Sequence, residues 1–71
     1  MSRYLVIIEE SSTGFSAFLP DLPGCIATGA TREEVENAMR EGVGFHLEGL
    51  RESGDPVPPP RSTATYVEVA A

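Results

Sequence analysis

Only one stretch of this chain, residues 31–53, repeats its apolar side chains with the period of a helix. Residues 3–10, 15–19, 25–28 and 63–69 read instead as strands. That imbalance constrains the fold more than any other feature, because one helix covers only one face of a sheet. The first strand needs cover on both: Tyr4, Val6 and Ile8 fall on one side, Leu5 and Ile7 on the other. The order predicts an α+β fold of two layers, β-β-β-α-β, with a mainly antiparallel sheet and the helix on one face. Leu5, Ile7 and Phe18, or their opposite-face counterparts, are then left over. Such a surface predicts a homodimer or higher oligomer, joined through the sheet face or a strand edge.

The boundaries follow from turn and cap residues. Ser11-Ser12-Thr13-Gly14 is a small polar turn that makes an antiparallel hairpin of the first two strands. Pro20-Asp21-Leu22-Pro23-Gly24 breaks the ladder, since two prolines cannot donate to it, and predicts a rigid extended loop ahead of Cys25. Gly29 closes the third strand. Thr31-Arg32-Glu33-Glu34 spells a capping box, in which Thr31 caps the helix and Glu34 reaches back. Glu33, Glu34 and Glu36 suit the positive end of the helix dipole. Val35, Met39, Gly42, Val43, His46 and Leu50 share the apolar face, and Gly54 supplies a left-handed stop. A Glu36–Arg40 pair is expected one turn apart. Gly42, Gly44 and Gly49 cost about 1 kcal/mol each against alanine. Close approach of the helix to the sheet, rather than to a second helix, is the expected compensation. Residues 55–60 form a proline-rich connector.

At 71 residues, the chain buries only about 60% of its unfolded surface. Cys25 stands alone, so no disulfide closes within it, and with His46 the sole histidine no Cys/His metal cage is available. A partner chain is the remaining source of stability. Five arginines, no lysine and eleven acids give a net charge of −6. Direct binding to nucleic acid is disfavoured and a basic protein partner favoured. No apolar run reaches the roughly 20 residues of a membrane span and no signal peptide opens the chain, so a cytosolic setting is expected.

Several motifs come close to known chemistry and stop short. Gly24 to Thr31 has the glycine spacing of a phosphate loop, but Ala30 stands where lysine must be. Pro56 to Arg61 matches a ligand for aromatic grooves, yet it joins a helix to a strand and reads as a stiff connector. His46 has no Ser or Cys partner at a recognisable spacing. Cys25 reads as a small buried hydrophobe. Asp21 with Glu9 or Glu10 resembles a carboxylate metal cluster only in residue type, since nothing in the spacing requires it. No cofactor, metal or enzymatic site is expected.

The run Gly14-Phe15-Ser16-Ala17-Phe18-Leu19-Pro20-Asp21-Leu22-Pro23-Gly24-Cys25, followed by Gly29-Ala30-Thr31-Arg32-Glu33-Glu34, resembles the HicB antitoxin family. Phe45-His46-Leu47-Glu48-Gly49-Leu50 and Gly54-Asp55-Pro56 fit the same pattern, which spans roughly residues 3–60. The resemblance implies a domain described as partial RNase H-like. It also implies a partner: a small basic HicA-type toxin that cleaves mRNA and is neutralised by occlusion of its active site. Typical members carry a C-terminal DNA-binding segment. Residues 1–71 are expected to form a single HicB-like domain without one. The RNase H-like label implies no activity, because Asp21 lies in a proline-flanked loop and not on a core strand. Glu9, Glu10 and Asp21 are the expected toxin contacts. A solitary homo-oligomer that binds a small ligand or serves as an adaptor is the second reading.

Overall fold

The structure, a computed structural model, describes residues 2–70. Three strands, β1 (Ile7–Ser11), β2 (Gly14–Phe18) and β3 (Ile26–Gly29), form an antiparallel sheet in the order β1-β2-β3. One helix, α1 (Arg32–Ser53), lies across a single face. This is the α+β arrangement that the sequence implies.

Register decides which side chains are covered. Ile8, Ala17 and Ala27 align across the three strands and point to the helix, where Ala17 is buried. The neighbouring row, Ile7–Phe18–Ile26, points away from it. Ile26 is 75% exposed there. The apolar surplus expected on the helix-free face is therefore present. Tyr4, Val6 and Ile8 are the covered set, as their packing against the core shows.

The loop after β2 is compact, not extended as its prolines suggest. The Leu19 N–H donates to the Cys25 carbonyl at 3.3 Å, Leu22 to Leu19 at 3.3 Å and Cys25 to Leu22 at 3.2 Å. These bonds fold the loop back on itself and drive Leu22 into the centre of the molecule. Neither proline needs an N–H for this geometry, since the three donors are Leu19, Leu22 and Cys25. Leu22, Leu19, Cys25, Ala17, Val35 and Met39 are the buried core.

The helix caps follow the expected residues. Glu34 N–H donates to Thr31 Oγ1 at 3.1 Å, and Glu34 Oε2 accepts from the Ala30 amide at 2.9 Å, one residue earlier than the usual reciprocal bond. At the other end Gly54 has φ +74°, and the Gly54 and Asp55 amides donate to Arg51 and Leu50 carbonyls. The ion pair is the preceding one: Arg32 Nε donates to Glu36 at 2.9 Å, while Arg40 donates to Asn37. Helical side chains lean toward the N-terminus, so Glu36 meets Arg32 and Arg40 meets the turn behind it.

Helical glycines do not bring backbones together within the chain. A Cβ added at Gly42, Gly44 or Gly49 would have no neighbour within 4 Å. The expected close approach is absent because a helix of 22 residues, about 33 Å long, overruns strands of five residues or fewer. Its buried residues are confined to Val35 and Met39, in the first two turns. Gly44→Ala and Gly49→Ala are each expected to raise stability by about 1 kcal/mol, read as a shift in the urea midpoint.

The last strand expected at residues 63–69 does not form. From residue 55 onward the described chain has no helix or strand. It is tethered early: Tyr4 Oη donates to the Pro58 carbonyl at 2.5 Å. Beyond that tether Tyr66 is fully exposed. A parallel pairing with β1 would need ladder bonds along this segment, and none forms.

Candidate functional site

The acids expected to contact a partner fall at two places. Glu9 and Glu10 pair with Ser16 and Phe15, near the hairpin turn, and both are exposed. Asp21 lies three residues past Phe18, which pairs with Ile7 at the opposite end of the hairpin. The three carboxylates therefore form no single patch.

Asp21 is engaged within the chain. Its Oδ2 accepts from the Arg61 and Ser62 amides, each at 2.9 Å, and its Oδ1 accepts from the Ser62 hydroxyl at 2.9 Å. The loop residue thus pins the start of the C-terminal segment, forty residues along the chain. The Ser62 amide, then the Arg61 amide, hold the Asp21 carboxyl below its ordinary value of 3.8 against the desolvation that would raise it. A depressed folded-state pKa contributes fully above the unfolded value and is lost as pH falls through the folded one. The segment is thus expected to stay pinned in mild acid and to release only below pH 3.8. The Arg61 and Ser62 amide proton shifts should report that release, and Asp21→Ala should abolish the transition and free both amides at every pH.

Glu9 belongs to the helix-free face. It aligns with Ser16 and Thr28, beside the apolar row Ile7–Phe18–Ile26. That face therefore presents a strip of apolar side chains next to a polar strip with one acid. Glu10 alternates to the helix side of the same strand.

The remaining chemistry-bearing side chains serve the fold. Cys25 is buried, its thiol donates to the Met39 sulfur at 3.8 Å, and burial raises its pKa. His46 is half-buried on the apolar side of α1. Among the described residues, no three His, Cys, Asp or Glu side chains are grouped to hold a metal ion. No helix among them is long and apolar enough to cross a membrane. Sequence reasoning places Asp21 in the loop but misses its partners, because nothing local to Pro20–Pro23 refers to residues 61 and 62.

Fold and side-chain use together define a small α+β domain that offers surfaces, with its most distinctive loop spent on internal structure. Residues 4–70 match the family described as the HicB-like antitoxin of bacterial toxin–antitoxin systems. The chain belongs to that family. It is 36% identical to antitoxin HicB 2 of Photorhabdus laumondii over 97% of its own length and 50% of that protein. A UPF0150 protein of Thermoplasma acidophilum is 30% identical, over 97% of this chain and 99% of the relative. Among solved structures, a chain of a HicA3 and HicB3 toxin–antitoxin complex superposes with a TM-score of 0.71 and 32% identity, covering 83% of this chain and 70% of that one. The chain spans about half the length of the Photorhabdus antitoxin and of a Haemophilus phage HP1 relative.

Proposed function

We propose that this domain is the toxin-binding part of an antitoxin: it captures a small basic HicA-type toxin in the cytoplasm and occludes its active site. The observation that carries the reading is the superposition on a chain of a toxin–antitoxin complex at 32% identity, along the family's own length of sequence. Charge supports it, since a chain of net charge −6 attracts a cationic protein and repels nucleic acid. The contact surface is the helix-free face, where Ile7, Phe18 and Ile26 provide apolar area and Glu9 the acidic rim, while Glu10, on the helix side of the same strand, adds charge at the edge. An apolar centre within a charged rim is the usual anatomy of such an interface. Asp21 contributes by position, not contact. The same surplus of uncovered apolar side chains leads us to read the molecule as a homo-oligomer in solution.

The test pairs this protein with the small basic protein encoded beside it. Co-expression should restore growth that the toxin alone arrests. Glu9→Arg with Glu10→Arg is expected to slow association about tenfold or more at low salt, with a smaller effect at high salt. Wild-type association rates for the double variant would move the interface off this end of the hairpin. Failure to bind the neighbouring protein at all would overturn the antitoxin reading.

A further inference from the structure

Residues 63–69, Thr-Ala-Thr-Tyr-Val-Glu-Val, have a strand's composition and no strand partner among the described residues. Tyr66 is 100% exposed, Val67 77% and Val69 78%. An edge without a partner lies beside them. β1 is an outer strand of the sheet, so one row of its backbone N–H and C=O groups meets no other strand. The Asp21 carboxylate fixes where the C-terminal segment starts, at Arg61 and Ser62. From there residues 60–64 line, together with residues 2–6, an open cleft of about 810 Å³. A second cleft, of about 340 Å³, continues between β1 and Ala64 and Tyr66. Numbers rise together on both sides, so the segment runs in the direction of β1 but is separated from it.

We propose that residues 63–69 of a second copy fill this gap, each copy donating its segment to the other. The inference rests on the self-association read above and assigns it a surface. Direction favours the exchange. A twofold axis normal to the sheet reverses the partner's segment, which then runs antiparallel both to β1 and to the host's own segment. The antiparallel ladder of β1, β2 and β3 simply continues across the pair. Closure of the segment onto its own β1 would instead make a parallel pair, which is less stable per residue. Charge favours a second copy over a basic occupant. Residues 4–8 and 62–67 carry no charged side chain, on a molecule of net charge −6. The clefts themselves are bordered by Arg3, Arg32 and Arg61 against one acid, Glu10, so a cationic partner meets more like charge than counter-charge, whereas the segment of a second copy brings one acid, Glu68. The exchange is also closed and self-complementary, which limits the assembly to a dimer at this edge.

Val67→Pro separates the possibilities. Proline removes a ladder N–H and is excluded from central strands, while the exposure of Val67 leaves the folded core untouched, so the helical circular dichroism should not change. Sedimentation equilibrium at micromolar concentration should give twice the 7.6 kDa chain mass for the wild type and the single-chain mass for Val67→Pro. A synthetic peptide of residues 61–70 should titrate the wild-type dimer into peptide-bound single chains. A wild-type dimer that Val67→Pro leaves intact overturns the segment exchange and leaves self-association standing. A wild type that sediments as a single chain overturns both. A variant that stays dimeric but no longer captures the basic toxin assigns the segment to the toxin, and also overturns the exchange.

Discussion

Leu22→Ala is expected to remove about half of the folding free energy of this domain. Leu22 is fully buried and belongs to a core of six buried residues. Its neighbours in the loop are held by backbone bonds from Leu19, Leu22 and Cys25, so they cannot easily collapse into the space it leaves. Removing a leucine side chain from such a site costs about 2–5 kcal/mol. A chain of 71 residues has roughly 4–10 kcal/mol of stability in total, at the usual figure per residue. The substitution therefore consumes a large share of it, and self-association should weaken as the folded population falls. Leu22→Met keeps the volume and should cost less than about 1.5 kcal/mol. Urea unfolding followed by circular dichroism measures both. Equal midpoints for Leu22→Ala and the wild type would mean that the loop packs on the core without supporting it.

The position of Leu22 also marks the boundary of what the sequence discloses. Local signals locate elements well here. The capping residues Thr31 and Glu34 and the stop at Gly54 bound α1 where the structure has it, and the hairpin turn lies between Ser11 and Gly14. These depend on neighbours within four residues. Long-range choices escape the reading. The loop of two prolines looks extended because proline's missing N–H is a local fact, whereas its fold depends on Leu19, Leu22 and Cys25 bonding one another. The Asp21 grip on Arg61 and Ser62 crosses forty residues. Residues 63–69 have strand propensity, but propensity for a strand is fit to a neighbouring strand. Without that neighbour among the described residues the segment stays unpaired, which is the opening for the exchange proposed above.

The same distinction explains why the acids Glu9, Glu10 and Asp21 are legible one by one but not as a patch. Alternation places Glu9 with Ile7 on one face and Glu10 on the other, and that much follows from a period of two. Which face the helix covers is a tertiary outcome, fixed when Tyr4, Val6 and Ile8 pack against Met39 and the rest of the core. Once that choice is made, Ile7, Phe18 and Ile26 become the row turned away from the helix, with Glu9 beside it. The family's loop motif, by contrast, preserves a fold: Leu22 fills the centre and Asp21 anchors the segment that leaves it.

Gly14→Ala should destabilise the fold by about 2–5 kcal/mol, the sum of a strained backbone and a steric overlap. Gly14 opens β2 at φ +150°, a conformation that side chains with a Cβ rarely adopt. The overlap is the larger obstacle. An added Cβ would stand 2.4 Å from the Gly29 carbonyl oxygen and 3.2 Å from the Ala30 Cα, both backbone atoms that no rotamer change can move. Relief requires β2 and β3 to separate at the end where Phe15 pairs with Gly29. Gly29 in turn lies close to the helix N-terminus, where an added Cβ would stand 3.0 Å from the Val35 amide nitrogen. The hairpin, the third strand and the helix N-terminus thus meet at two glycines. Gly24→Ala provides the contrast. Gly24 has φ +87°, with nothing within 4 Å of an added Cβ, so only the backbone term of about 1–2 kcal/mol applies. A urea midpoint lower for Gly14→Ala than for Gly24→Ala, with both chains still helical in buffer, is the expected result. Equal midpoints would show that the sheet opens at Gly29 without cost, and would remove the close contact between β2 and β3 as the reason for glycine at position 14.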